Sequence, residues 1–184
     1  MNQESDKTAR KNRLIILLLF LVFLAPALGS WLLYANRDTV HMGTTNKGEF
    51  VQPPRQLDLS GLALSKDYFA HHQTLIYVSG ADCADDCRHA LDVMHGTQLA
   101  LGEQNSEVQR LYLASSPGAA KVAADAGLTV LDASSKPVLQ DFGADASQYI
   151  YLADQNGYAV LRYKLSDDPK KILIDLRHLL GSGG

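Results

Sequence analysis

The chain is poor in several things. It has two cysteines and one tryptophan among 184 residues, and no surplus of basic charge: 17 Lys and Arg stand against 20 Asp and Glu, for a formal net charge of −3. No basic patch stands out, which argues against nucleic acid as a partner. No segment repeats, so a solenoid or repeat array is excluded. The length leaves room for about one domain plus accessories. One further absence is local. Residues 14–34 contain no charged side chain and are mostly Leu, Ile, Phe, Val and Ala.

A run of about 20 apolar residues is what a helix needs to cross a hydrocarbon core of about 30 Å. A buried core helix rarely runs so far without a polar face. Lys7, Arg10, Lys11 and Arg13 precede the segment, against Glu4 and Asp6, whereas Ala35, Asn36, Arg37 and Asp38 after it bring one basic residue. Positive residues stay cytoplasmic. This places residues 1–13 inside, a transmembrane helix at 14–34, and the remainder outside a bacterial-type inner membrane, in the periplasm. Trp31 and Tyr34 suit the outer interface. A cleaved signal peptide is the competing reading, since Ala25, Pro26 and Ala27 have the small-x-small form of a cleavage site. The apolar run continues through Trp31, Leu32, Leu33 and Tyr34, which favours the uncleaved anchor. Pro26 would only kink such a helix.

Beyond the anchor the balance is acidic. Residues 1–34 hold four basic and two acidic residues, leaving 13 basic and 18 acidic in 35–184, a charge of −5. Residues 35–56 lack periodicity and end near Pro53 and Pro54, so they read as a linker. The folded domain is expected over 57–180, with Gly181, Ser182, Gly183 and Gly184 as a flexible tail.

Within it, elements alternate. Residues 74–78 read as a strand buried on both faces. From 84 to about 102, Ala90, Leu91, Val93, Met94, Leu99 and Leu101 recur at helical spacing. Residues 108–113 read as a strand, and 117–126 as an Ala-rich helix with Pro117 in its first turn and Ser115 or Ser116 as cap. Residues 128–131 are strand-like. Residues 149–153 and 158–163 flank Asp154, Gln155, Asn156 and Gly157, the mark of a hairpin. Residues 168–180 form a closing helix with Ile172, Leu173, Leu176, Leu179 and Leu180 on one side. Alternation gives parallel crossovers, and the hairpin adds an antiparallel end. The predicted class is α/β: a thioredoxin-like sheet with flanking helices, preceded by one transmembrane helix.

Cys83 and Cys87 follow the first core strand and open the long helix. The loop at the C-terminal end of a sheet strand is where α/β folds place ligand sites, and a helix N-terminus favours a thiolate at Cys83. A separation of four puts both sulfurs on one helical face with Cα atoms about 6 Å apart, within disulfide range. So short a loop stabilises little by chain entropy, so a purely structural staple is a poor explanation. The same geometry lets two thiolates grip a soft ion such as Cu(I). Asp82, Asp85 and Asp86 surround the pair. They oppose thiolate formation and favour a bound cation, or else Asp82 caps the helix and the other two complement its dipole.

A third metal ligand is hard to find. His71 and His72 precede the strand and fall at the opposite edge of the sheet. His89 is rotated about 200° from Cys87 and points away, and His95 lies two turns further on. Met94 suits the core. His178 is on the last helix, and His41 and Met42 are in the linker. No general base stands near the thiols, so nothing marks a conventional enzyme.

The anchor, the linker, the strand–CxxxC–helix order and the late hairpin together resemble the Sco/SenC family, membrane-anchored thioredoxin-like proteins that handle copper for cytochrome c oxidase assembly. The resemblance covers roughly residues 57–180. Residues 145–157 look like the family's Asp-His-Ser strand-and-turn motif, with Ala146 where the family's metal-binding histidine falls. Cys83 and Cys87 carry over as metal-ligand positions; the histidine does not. Thr45, Asn46, Lys47, Gly48, Glu49 and Phe50, followed by Pro53, resemble a sister group of small proteobacterial transmembrane proteins associated with cytochrome oxidase genes, which share the CxxxC and lack the histidine. The resemblance implies an oxidase assembly factor handling Cu(I) through the thiol pair. It implies an oxidase subunit or another copper or thiol assembly factor as partner. Two readings stand beside it: a thiol–disulfide reductant for a copper-site partner, and an interaction module whose cysteines form a local disulfide. Reductants of that class carry a proline before the strand facing their cysteines, where residues 146–149 have none.

Overall fold

The computed structural model describes residues 3–35, 46–59, 61–65, 67–80, 82–121 and 127–181. The chain divides into two compact units, Met1–Thr45 and Asn46–Gly184. The first is built on helix α1, Gln3–Ala35, which runs unbroken through Pro26. The apolar stretch Ile15–Leu32 is long enough to cross a membrane, since 18 residues rise about 27 Å in a helix. Its large side chains face outward, with Phe23 73% and Ile16 66% exposed. It is a candidate membrane span.

The second unit is a mixed sheet of six strands: β1 Glu49–Gln56, β2 Gln73–Val78, β3 Val108–Ala114, β4 Leu128–Asp132, β5 Tyr149–Ala153 and β6 Tyr158–Lys164. Their spatial order is β1-β6-β5-β2-β3-β4. Strands β2, β3 and β4 run parallel. The β5–β6 hairpin adds antiparallel to β2 through β5, as the Asn156–Gly157 turn led one to expect. All six residues of β2 are buried, which suits a central strand covered on both faces.

Alternation sends β2 side chains into two cores. Leu75 and Tyr77 join α2 (Asp85–Ala100) and α3 (Lys170–Gly181) on one face. There α2 buries Cys87, Ala90, Leu91 and Met94, the i, i+3, i+4, i+7 stripe of an amphipathic helix. Ile76 and Val78 point to the other face, which Leu57, Phe69, Val138, Phe142 and Ala146 cover from irregular segments and short 3-10 turns.

The fold corrects the sequence reading in two places. The C-terminal part of the expected linker is strand: β1 occupies Glu49–Gln56 and pairs antiparallel with β6, so the second compact unit starts at Asn46 and not at residue 57. Pro53 and Pro54 had argued against a strand. Prolines are tolerated on an edge strand at an irregularity, and the register breaks between Phe50 and Arg55. The second correction concerns the helix expected over 117–126. Residues 117–120 form a turn in which Ser116 Oγ accepts the Ala119 N–H at 3.1 Å. The serine caps as anticipated, but Lys121 is already outside the turn, and residues 122–126 lie outside the described residues.

Because β1 runs opposite to β6, the chain enters this unit at the C-terminal end of β6, which is also the C-terminal end of β2. An internal clamp fixes that entry. The buried carboxylate of Asp175 accepts the backbone N–H groups of Lys47 and Gly48, both at 2.8 Å from Oδ2, and the Tyr163 hydroxyl at 2.9 Å.

Candidate functional site

The C-terminal ends of β2 and β3 carry the cysteines. Ser79, just past β2, is buried; its N–H donates to Leu113 O at 3.1 Å and its Oγ accepts the Ser115 N–H at 3.3 Å. Ser115 Oγ also donates to Gly80 O. The two strand-end loops are thus tied to each other just before Cys83.

Cys83 and Cys87 form a disulfide with Cα atoms 5.0 Å apart. The pair does not share a helical face as its spacing suggested. Ala84 is the N-cap of α2, so Cys83 sits one residue outside the helix and Cys87 in its first turn. This asymmetry gives the sulfurs different surroundings: Cys87 is 3% exposed inside the helix-face core, and Cys83 is only partly buried. No side chain caps α2; Asp82 contributes its carbonyl to Ala84 N–H and not its carboxylate, which corrects the capping expectation. Asp85 and Asp86 occupy the first turn, where acids complement the dipole. Asp85 pairs with Arg88 at the surface.

Two tyrosines that the sequence reading left unassigned complete the site. Tyr77 and Tyr112 are register partners on the parallel strands β2 and β3 and point to the cysteine face. Their rings stack with centroids 6.2 Å apart and planes within 10°. Cys87 Sγ lies 3.5 Å from the Tyr112 hydroxyl oxygen, and that hydroxyl donates to Ala119 O at 3.0 Å. The Tyr77 hydroxyl donates to Ser147 O at 3.0 Å. Burial pushes both phenols up. That of Tyr77 reaches about 12, with Tyr112 and then Asp86 adding to the rise. The signal was present as two aromatic residues in two strands, but only the register aligns them.

The histidines fall largely where expected. His71 and His72 precede β2, at the end away from the disulfide; His72 Nδ1 is 2.8 Å from Ala70 O. His89 and His178 are exposed, His95 is partly buried and Met94 is core. His41 and Met42 lie outside the described residues. Ala146 comes to the cysteine end of the sheet, immediately before β5, yet its side chain packs in the core of the opposite face. Once reduced, two sulfurs at this separation suit a soft ion held by two ligands. Among the described residues, no group of three His, Cys, Asp or Glu side chains is placed to hold a metal ion. A cleft of about 350 Å³ lined by Asp86, His89, Gln148, Lys164, Leu165 and Ser166 opens beside the start of α2.

A family model described as the transmembrane-like, thioredoxin-like C-terminal domain matches residues 74–182, more than half of the chain. The chain belongs to this family. No curated protein matches it by sequence. Among solved structures, yeast Sco1 with copper bound is similar at 20% identity and TM-score 0.56, over 77% of this chain and 97% of that one. The solution structure of apo Sco1 from Thermus thermophilus is similar at 15% identity and TM-score 0.53, over 75% and 99%. A SCO1/SenC family lipoprotein from Bacillus anthracis follows at 17% and 0.50, over 71% and 99%. The fold is therefore the thioredoxin-like fold of the Sco structures.

Proposed function

We propose that this chain is a membrane-anchored assembly factor for cytochrome c oxidase whose Cys83–Cys87 pair cycles between disulfide and dithiol in the service of a copper-site partner. The N-terminus lies in the cytoplasm, α1 spans the inner membrane, and residues 46–181 stand in the periplasm, where disulfides persist. The partner is an oxidase subunit or another copper or thiol assembly factor. One observation carries the reading. At the strand-end position where α/β folds place their sites, a disulfide joins a buried sulfur to a partly exposed one. A staple needs no such asymmetry, whereas exchange needs one sulfur within a partner's reach. The likeness to Sco1 with copper bound supports the copper link.

A second reading is Cu(I) carriage by the two thiolates after reduction. The exposed acids Asp82, Asp85 and Asp86 favour it, because they attract a cation to the pair. Copper is then cargo, with a partner supplying what Ala146 does not.

Two measurements test these readings. Titration of the reduced full chain against a chromophoric Cu(I) chelator is expected to show one ion competed for, with Cys83→Ser abolishing it under the second reading. Wild type and Cys83→Ser behaving alike would reject copper carriage. Deleting the gene and assaying oxidase with and without added copper tests the pathway. Loss of activity is expected, and unchanged activity in both conditions would reject the assembly role.

A further inference from the structure

We propose that Tyr112 is the positioning residue of the thiol pair: its hydroxyl oxygen receives the Cys87 S–H when the disulfide opens, which keeps Cys87 buried and leaves Cys83 as the sulfur that exchanges with a partner. This rests on the reading that the pair cycles. The Tyr112 side chain is fully buried, and the parallel Tyr77 ring on β2 holds it in place. Its hydroxyl hydrogen is committed to Ala119 O at 3.0 Å. The Ser79 hydroxyl donates to the same oxygen, so what faces Cys87 Sγ at 3.5 Å is its remaining lone pair. A disulfide sulfur has no hydrogen to give it; a thiol has one. The contact becomes a hydrogen bond only in the dithiol, so Tyr112 favours reduction and marks Cys87 as the leaving sulfur.

The exchange balances with an external dithiol as reductant. One of its thiolates attacks Cys83 Sγ, forming a mixed disulfide. The Cys83–Cys87 bond breaks and its electron pair leaves on Cys87, which takes a proton from solvent and keeps it as an S–H hydrogen-bonded to the Tyr112 oxygen. The reductant's second thiolate attacks its own sulfur in the mixed disulfide and frees Cys83. Two electrons have passed to the pair, and the reductant is left as a disulfide. Attack at the buried Cys87 Sγ is closed to a macromolecular thiol.

The test equilibrates the full chain in detergent with graded dithiothreitol and counts free thiols by alkylation and mass measurement. Tyr112→Phe should shift the equilibrium toward the disulfide by about fivefold, the scale of one modest hydrogen bond, or about 20 mV for a two-electron couple. Tyr77→Phe removes a buried hydroxyl from the same stack without touching sulfur, and should move it less than twofold. In reduced wild type, a bulky maleimide should label Cys83 at least tenfold faster than Cys87, a comparison that needs no variant to fold. Equal labelling, or a Tyr112→Phe constant within twofold of wild type, overturns the proposal and leaves the cycling reading intact. A wild-type disulfide that excess dithiothreitol cannot open overturns both.

Discussion

The Tyr77 hydroxyl and the Ser147 carbonyl are hydrogen-bonded at 3.0 Å, which pins the backbone beside Ala146 to the cysteine side of the sheet while the Ala146 methyl packs on the other side. A histidine placed at 146 would thus start in the core with Phe142 and Tyr149, facing away from the sulfurs. Ala146→His is expected to cost about 1–3 kcal/mol through overpacking and to change the Cu(I) affinity of the reduced chain less than tenfold. Chemical denaturation and chelator competition read the two effects. A gain well above tenfold would show that the loop can turn the imidazole across the sheet.

The Asp175 clamp gives a second expectation. Asp175→Ala leaves the Lys47 and Gly48 N–H groups and the Tyr163 hydroxyl without their acceptor. The Tyr163 hydroxyl is buried, and a buried donor left unsatisfied costs about 1–3 kcal/mol; the Lys47 and Gly48 amides are only part-buried and water can reach them, so a loss of about 1–3 kcal/mol is expected. Gly48→Ala should destabilise by a different mechanism, overpacking, at about 1–3 kcal/mol. A Cβ there would come within 2.6 Å of the Tyr163 ring, which is buried and held by Asp175. Thermal unfolding checks both, and an unchanged Asp175→Ala midpoint would show that water replaces the carboxylate.

These contacts show where the sequence stops being legible. Periodicity disclosed β2, α2, the hairpin and α3 because each buries one stripe, and that signal is local. The thiol pair was legible because chemistry and position coincide after a strand. Strand β1 was hidden: most of it is exposed, so it has no alternating pattern, and its two prolines read as a linker. The Tyr77–Tyr112 stack needed the β2–β3 register, with a helix and 34 residues of sequence between the partners. Asp175 carries no local mark of its role, because two of its donors are backbone amides more than 120 positions away.

Burial of the tyrosines predicts an alkaline limit to stability. Burial is the first cause of the raised values at Tyr68, Tyr77, Tyr112, Tyr151 and Tyr163, with Tyr77 and Tyr151 reaching about 12. An unfolded chain loses these protons near pH 10. Between about pH 10 and 12 the folded state binds more protons than the unfolded one, so stability falls as pH rises. Below about pH 10 this contribution is fully present. Phenolate absorbance should rise in two steps, the second coinciding with loss of the circular dichroism signal. A single step near pH 10 with the fold intact would contradict the burial.

The anchor yields the last expectation. Helix α1 continues past Ala27 to Ala35 without a break, and Leu28, Trp31 and Leu32 keep the apolar surface going beyond the small-x-small site. A secretory h-region ends before its cleavage site, within about 7–15 apolar residues, whereas the apolar stretch Ile15–Leu32 is 18 residues long. The chain produced in a Gram-negative cell is therefore expected to stay in the membrane fraction after alkaline carbonate extraction, with an intact mass that includes residues 1–34. Deleting residues 1–34 removes the anchor and the export signal together, so the shortened chain should be soluble, cytoplasmic and isolated as the dithiol. Protease added to spheroplasts should cut the full chain only outside the membrane, leaving a fragment that carries the N-terminus. A mature chain beginning at residue 28 and free in the periplasm would replace the anchor with a signal peptide, and the partner of Cys83 would then no longer be confined to the membrane surface.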